Sequence, residues 1–108
     1  MIATRLLRLH NEGVDIAIRI FAPEGEGRAW ACRYEIDWPE GMQVMQAFGV
    51  DAVQAILLAF QMIGADIYTS NYHRSGRLIF EEPGQGYGFP VPASLRGLLI
   101  GNDRTYGA

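Results

Sequence analysis

The stretch DAVQAILLAFQMIGADIY, residues 51–68, is the segment of this chain that is long and apolar enough to form the spine of a core. Asp51 is a favourable helix N-cap, and Gln54 follows it three residues later, as in a capping box. We therefore expect a long helix that begins at Asp51. The side chains at helical spacing that we expect to face a sheet are Val53, Ile56, Leu57, Phe60, Ile63, Gly64 and Ile67.

The opposite side of this helix is also largely apolar. It carries Ala55, Leu58, Ala59 and Met62. A helix on one face of a sheet normally has a broader polar side. Two explanations stay open: the segment GQGYGFPVP (residues 84–92) folds back onto these residues, or they form the interface of a homodimer or small homo-oligomer.

The rest of the chain reads mainly as β-strands, because apolar residues alternate with polar ones between turn residues. The clearest case is residues 14–21, where Val14, Ile16, Ile18 and Ile20 share one face. The expected strands are residues 2–10, 14–21, 28–38, 42–49 and 77–81, with turns at 11–13 and 23–27. A short helix is expected from Pro92, and a frayed tail from Asn102. The pattern predicts an α+β domain in which a four- to five-stranded antiparallel meander carries one long helix on one face, with a short C-terminal helix.

The strand expected at residues 28–38 has two contrasting faces. One face is large and apolar, with Trp30, Cys32, Tyr34, Ile36 and Trp38. The other presents Arg33, Glu35 and Asp37 at two-residue spacing. Such a polar row is typical of a solvated face, although neighbouring Arg and aromatic residues also occur in recognition surfaces.

Length and composition narrow the class of protein. At 108 residues we expect one domain over residues 1–108. A net charge of −3 disfavours nucleic acid as a partner, and the apolar run 53–65 is too short for a membrane span. Cys32 is alone, which excludes an intramolecular disulfide and favours a reducing, cytoplasmic location. We expect no cofactor and no metal, since His10, Cys32 and His73 lie in unrelated segments.

The candidate site follows the long helix. His73 is a candidate general acid or base, and Asp66 is the carboxylate that would orient it. The candidate ligand-binding residues are Tyr72, Arg74, Arg77 and Tyr87. They define a hypothetical pocket between residues 66–77 and the glycine-rich loop 84–89. The competing interpretation is that these polar residues only cap a helix end.

The glycines at 84, 86 and 88 do not form a phosphate loop, because a dinucleotide fingerprint requires glycine where Phe89 stands. The stretches GVDAVQAILLAFQMIGADIY (49–68), RYEIDWPEG (33–41) and GYGFPVPASLRGLL (86–99) instead resemble a family of short bacterial proteins catalogued as a domain of unknown function. This resemblance implies a stand-alone cytosolic protein. It does not point to any particular activity.

The sequence therefore favours a small non-enzymatic interaction or binding module that self-associates. The alternative is a small enzyme or ligand-binding protein that uses the pocket near His73.

Overall fold

The chain forms an antiparallel sheet with one long helix on one face, as the α+β prediction requires. The structure is a computed structural model that describes residues 1–106, apart from the side chain of Glu26. The strands are β1 (Ala3–Leu9), β2 (Val14–Ile20), β3 (Glu24–Glu26), β4 (Ala29–Trp38), β5 (Gly41–Gly49) and β6 (Leu78–Ile79). The helices are α1 (Ala52–Tyr68), α2 (Asn71–Arg74), a 3₁₀ helix (Ala93–Leu98) and α3 (Gly101–Tyr106).

The strand order differs from a simple meander. The order is β3-β4-β2-β1-β6, and β5 also pairs with β4. Residues 24–26, expected within a turn, form β3 and pair with the first residues of β4. The strand β5 pairs with β4 from Trp30 to Trp38, which includes the β4 residues that pair with β2. Since one side of a strand has room for one partner, β5 lies on the side of β4 away from β2 and β3.

Contacts divide the chain into two compact units. The first comprises Met1–Leu6 and Ile16–Ala59, and the second comprises Leu7–Asp15 and the chain from Phe60 onward. The β4–β5 pair and the first half of α1 belong to the first unit. The strand β6, α2 and residues 84–92 belong to the second. The expectation of a single domain over residues 1–108 stays a prediction.

The core of the first unit follows the alternation seen in the sequence. Ile16, Ile18 and Ile20 of β2 are buried, and so are Cys32, Tyr34 and Ile36 of β4. The residues between them point to the opposite, helix-free face. Burial of these apolar side chains is the main source of stability of the sheet.

The start of α1 is where the sequence places it. The Oδ1 atom of Asp51 accepts a hydrogen bond from the backbone N–H of Gln54 at 2.8 Å. In return, the side-chain oxygen of Gln54 accepts one from the N–H of Val50 at 2.7 Å. These two bonds satisfy backbone donors that the helix itself leaves unpaired.

The buried face of α1 differs from the expected one. Ala55 and Ala59 are fully buried, together with Ile63 and Ile67. By contrast, Val53 is 65% exposed and Leu57 is 54% exposed. Small side chains on the buried face let the helix lie close to a sheet whose own side chains are large. Ala55 and Ala59 are therefore not available as a subunit interface, which corrects that expectation, whereas Leu58 and Met62 are half-buried.

In the second unit, the glycine-rich segment (residues 84–92) folds back onto α1. The rings of Phe60 and Phe89 meet edge to face, with their centroids 6.1 Å apart. Gly64 lies directly against the carbonyl of Pro90, where a Cβ atom would collide. The segment therefore covers Phe60 and Gly64, which were expected to face the sheet, whereas it was expected to cover the side with Ala55 and Ala59.

The C-terminal part is more ordered than the sequence suggests. The strand expected at 77–81 is reduced to β6, and the helix expected from Pro92 is a 3₁₀ helix. Asn102–Tyr106, expected to be frayed, belong to α3, in which Asp103 is buried. The expectation for the last two positions, 107 and 108, lies outside the described residues.

The contact at Gly64 gives a test of this packing. We predict that Gly64→Ala lowers the free energy of unfolding by about 1–3 kcal/mol, although alanine favours helices, because the new methyl displaces the Pro90 backbone. Urea unfolding followed by circular dichroism measures the change. The control is Gly97→Ala, since a Cβ there meets no neighbouring atom. Equal stability of Gly64→Ala and wild type would contradict the packing.

Candidate functional site

The glycine-rich segment is fastened to the second unit by the buried carboxylate of Asp103. Its Oδ2 atom accepts a hydrogen bond from the hydroxyl of Tyr68 and another from the N–H of Tyr87 at 2.7 Å. Its Oδ1 atom accepts one from the N–H of Gly88 at 2.8 Å. Gly86 must be glycine, because its φ is +87° and a Cβ would collide with the same carboxylate.

His73 joins this arrangement through Tyr87. Its Nδ1 atom lies 2.6 Å from the Tyr87 hydroxyl, and the Tyr68 ring lies edge-on to the imidazole with centroids 4.7 Å apart. Burial lowers the pKa of His73, which favours the neutral ring. The neutral Nδ1 can then accept a hydrogen bond from the Tyr87 hydroxyl. We call Tyr68, His73, Tyr87 and Asp103 the Asp103 cluster.

The chemistry of the Asp103 cluster is that of a structural anchor. Burial, and then the Asp103 carboxylate, raise the pKa of both Tyr68 and Tyr87, so that their hydroxyls stay protonated near neutral pH. Both oxygens of Asp103 accept donors from the protein itself. The cluster therefore holds the glycine-rich segment in place.

The other predicted site residues have different partners. Arg74 donates to the carbonyl of Thr69 at 2.8 Å, near the end of α1. Arg77 forms an ion pair with Glu12 at 2.9 Å, and its guanidinium lies over the Tyr72 ring. Asp66 is half-buried on α1. Of the predicted ligand-binding residues, the structure brings only Tyr87 to His73.

A pocket of about 160 Å³ lies on the far side of the glycine-rich segment. Its lining is acidic and comes from residues 80–88 and 102–103, not from residues 66–77 as expected. Within residues 1–106, no three His, Cys, Asp or Glu side chains are grouped as a metal site would require. His73 is not among the residues that line this pocket.

The second candidate is the outer strand of the first unit. The strand β5 pairs with β4 from Gly41 to Gly49 in continuous register, and no other described strand pairs with it. Its sequence, GMQVMQAFG, contains no charged residue and no proline. The side of this strand that faces away from β4 has no partner strand among the described residues, and we call it the β5 edge.

The direction of the backbone groups along β5 follows from its neighbours. The carbonyl of Arg33 accepts the N–H of Phe21, so the backbone groups of Arg33 point away from β5. Gln46, which is opposite Arg33, therefore directs its own N–H and C=O to the free side. By alternation, the same holds for Met42, Val44 and Phe48. These four residues form the β5 edge.

Apolar side chains surround the β5 edge. Phe48 is 62% exposed and Val44 is 47% exposed. The chain continues from β5 into Val50, Val53 and Leu57, all exposed and all in the first unit. Sequence analysis placed Val53 and Leu57 in the core, because periodicity identifies an apolar face but not what covers it. Exposed apolar patches of this kind often take part in protein–protein contacts.

A family model described as "Domain of unknown function (DUF6968)" matches residues 3–91. The chain belongs to this family. No curated protein and no solved structure matches it. The DUF6968 match includes all of β5 and α1 but stops before Asp103.

No helix among the described residues of this DUF6968 chain is long and apolar enough to cross a membrane.

The Asp103 cluster predicts a specific pH dependence. Because the pKa of His73 is lower in the folded chain, the unfolded chain binds more protons below about pH 6.5. The free energy of unfolding should therefore fall as the pH drops through that value, by at most about 1.4 kcal/mol per pH unit. His73→Gln should remove this component, whereas His10→Gln should retain it. Urea unfolding between pH 7.5 and about pH 5 measures both, and an unchanged pH dependence in His73→Gln would contradict the assignment.

Proposed function

We propose that this protein is a non-enzymatic interaction module that self-associates by antiparallel pairing of two β5 strands. The observation that supports this most is the β5 edge itself: nine residues without a charge, along which one side of the strand has no described partner strand. In such a homodimer, the two sheets would continue into each other.

Edge strands of stable monomers are normally protected against pairing. The usual devices are inward-pointing charges, lysine or proline on the edge, a β-bulge, or a short strand. The strand β5 has none of them, since its register with β4 is continuous over nine pairs and its sequence is uncharged. A strand with this composition is suited to accept another strand.

A second copy of the chain is the partner that this strand fits best. Antiparallel pairing across a two-fold axis places the same strand opposite itself, so any charge would face residues of its own sequence. No such repulsion arises here. Pairing centred on Met45 would use all four outward-facing backbone positions and would place Met42 of one copy opposite Phe48 of the other. Methionine sulfur and aromatic rings attract each other weakly.

Val53 and Leu57 add an apolar contribution beside the strand. Both are exposed on the first turns of α1. Burial of a side chain of this size stabilises a complex by about 1.5–3 kcal/mol. Backbone pairing would fix the relative orientation of the two copies, and burial of these side chains would add affinity. The resulting free energy offsets part of the entropy lost on association.

The self-association has a direct mutational test. We predict that Val44→Lys converts the dimer to a monomer, because lysine on an edge strand opposes pairing and the two lysines would be diagonal neighbours across the paired strands. Analytical ultracentrifugation over the micromolar to submillimolar range measures the mass, and circular dichroism confirms folding. The matched control is Leu6→Lys, since Leu6 is also exposed but lies on β1, between two other strands.

Two outcomes would contradict the proposal. One is a wild-type chain that sediments as a monomer throughout this range. The other is a folded Val44→Lys variant whose mass distribution equals that of wild type. Loss of the dimer in both Val44→Lys and Leu6→Lys would place the interface on the sheet face instead of the β5 edge.

The alternative is a small enzyme or ligand-binding protein with a pocket near His73, and fewer observations support it. His73 and Tyr87 are hydrogen-bonded to each other, and Arg74 and Arg77 are engaged elsewhere. The proposed module is cytoplasmic and bacterial. The cytoplasmic location is supported by the free thiol of Cys32, whose pKa is raised by burial, since unpaired cysteines suit a reducing compartment.

A further inference from the structure

The polar row on the helix-free face of the first unit consists of Arg33, Glu35 and Asp37. Among the described ion pairs, both carboxylates have a partner on β2, whereas Arg33 has none. Arg19 of β2 donates to Glu35 at 2.9 Å and to Asp37 at 2.8 Å, so a single guanidinium is hydrogen-bonded to both carboxylates of the row. Hydrogen bonding to Arg19 is the main reason why the pKa of Asp37 is lowered. The third member of the row, Arg33, makes no direct contact with either carboxylate among the described ion pairs.

Arg33 is held in place by an aromatic ring instead of an acid. Its guanidinium carbon lies 4.0 Å above the ring centroid of Phe21, which is directly opposite it on the neighbouring strand. No ion pair within the described residues involves Arg33. Stacking restricts the side chain while its N–H donors remain available, so less conformational entropy is lost when a ligand binds.

A pocket of about 290 Å³ lies beside this stacked pair. Its polar lining comes from Arg33, the amide of Gln46 and the carboxylate of Glu24. Its apolar lining comes from Met1, Phe21, Ala22 and Ala31. All of these residues belong to the first unit. The pocket therefore combines a fixed cation, an amide donor and an apolar wall.

We propose that this pocket binds a small monocarboxylate with a compact apolar body. The planar guanidinium of Arg33 matches a carboxylate in a two-bond fork, and Gln46 is placed to donate a further hydrogen bond. The apolar body of the ligand lies against Phe21 and the two alanines. This binding site does not depend on self-association.

The charges favour a carboxylate over phosphate. Phosphate carries nearly two negative charges at neutral pH, whereas Arg33 supplies one positive charge and Glu24 adds a negative charge to the same lining. A monocarboxylate needs one cation and meets less repulsion. The apolar wall gives no advantage to an inorganic ion.

The test is a titration of the ¹⁵N-labelled chain with phenylacetate, followed by NMR chemical shifts. Phenylacetamide, which has the same ring but no charge, and inorganic phosphate are the comparison probes. We expect saturable shifts at Phe21, Arg33 and Gln46 with phenylacetate, and binding at least about tenfold weaker with either comparison probe.

Variants separate the guanidinium fork from simple charge. Arg33→Gln and Arg33→Lys should each weaken phenylacetate binding by about tenfold or more, because the lysine retains the charge but loses the fork. The matched control, Arg28→Gln, removes an exposed arginine of the same unit outside the pocket lining and should bind like wild type. Amide spectra of each variant confirm folding.

The proposal is overturned if phenylacetate produces no saturable shifts. It is equally overturned if phenylacetamide or phosphate binds as tightly as phenylacetate, or if Arg33→Gln binds phenylacetate like wild type. An Arg33→Lys variant with wild-type affinity would contradict the recognition by the guanidinium fork.

Discussion

A β-strand presents N–H and C=O groups along both of its sides, and these groups require hydrogen-bond partners. The structure of the first unit depends on where this requirement is met. The strand β4 meets it on both sides, with β5 along one side, and β3 and β2 along residues 29–31 and 34–36 of the other. Tyr34 and Cys32, at the centre of the core, are therefore held on a strand that is bonded along both sides. The strand β5 meets the requirement on one side among the described residues. This unequal pairing explains why a well-packed core and an exposed apolar strand occur next to each other.

The helix α1 has two apolar faces with different roles. Ala55, Ala59 and Ile63 lie on the buried face, where small residues allow a close approach to the sheet. On the adjoining face, Phe60 and Gly64 are covered by the glycine-rich segment, which the Asp103 carboxylate fastens. The first unit has no such cover over Val53 and Leu57. The apolar residues of α1 are thus covered by the sheet and by the glycine-rich segment along part of its length, and remain exposed at its start.

The sequence predicted features that are set by near neighbours. The alternation in β2 and β4 and the Asp51–Gln54 cap depend on residues a few positions apart, and both are present. The prediction of which face of α1 is buried was wrong for a physical reason. Val53 and Ala55 are both apolar, and only tertiary packing decides which one is buried. The strand β3 was missed because Gly25 resembles a turn residue, whereas it is glycine to make room for the ring of Trp30.

The candidate sites were less predictable. Asp103 receives its hydrogen bonds from Tyr68, Tyr87 and Gly88, which are far away in the sequence, and nothing in its local sequence marks it as buried. The sequence showed the row of Arg33, Glu35 and Asp37. It did not show which of them form ion pairs, because both carboxylates pair with Arg19 on another strand. The pairing of His73 with Tyr87 agrees with their proximity in the expected site, although the contact is structural in character.

Backbone hydrogen exchange along β5 tests the central claim, strand pairing between two copies, most directly. The N–H groups of Gln43, Met45 and Ala47 face β4 and should exchange slowly at every protein concentration. Those of Met42, Val44, Gln46 and Phe48 face the β5 edge. We predict that their exchange, measured residue by residue by NMR, slows as the concentration rises through the dimerisation range. Rapid exchange of these four amides at concentrations where the chain is dimeric would contradict the account.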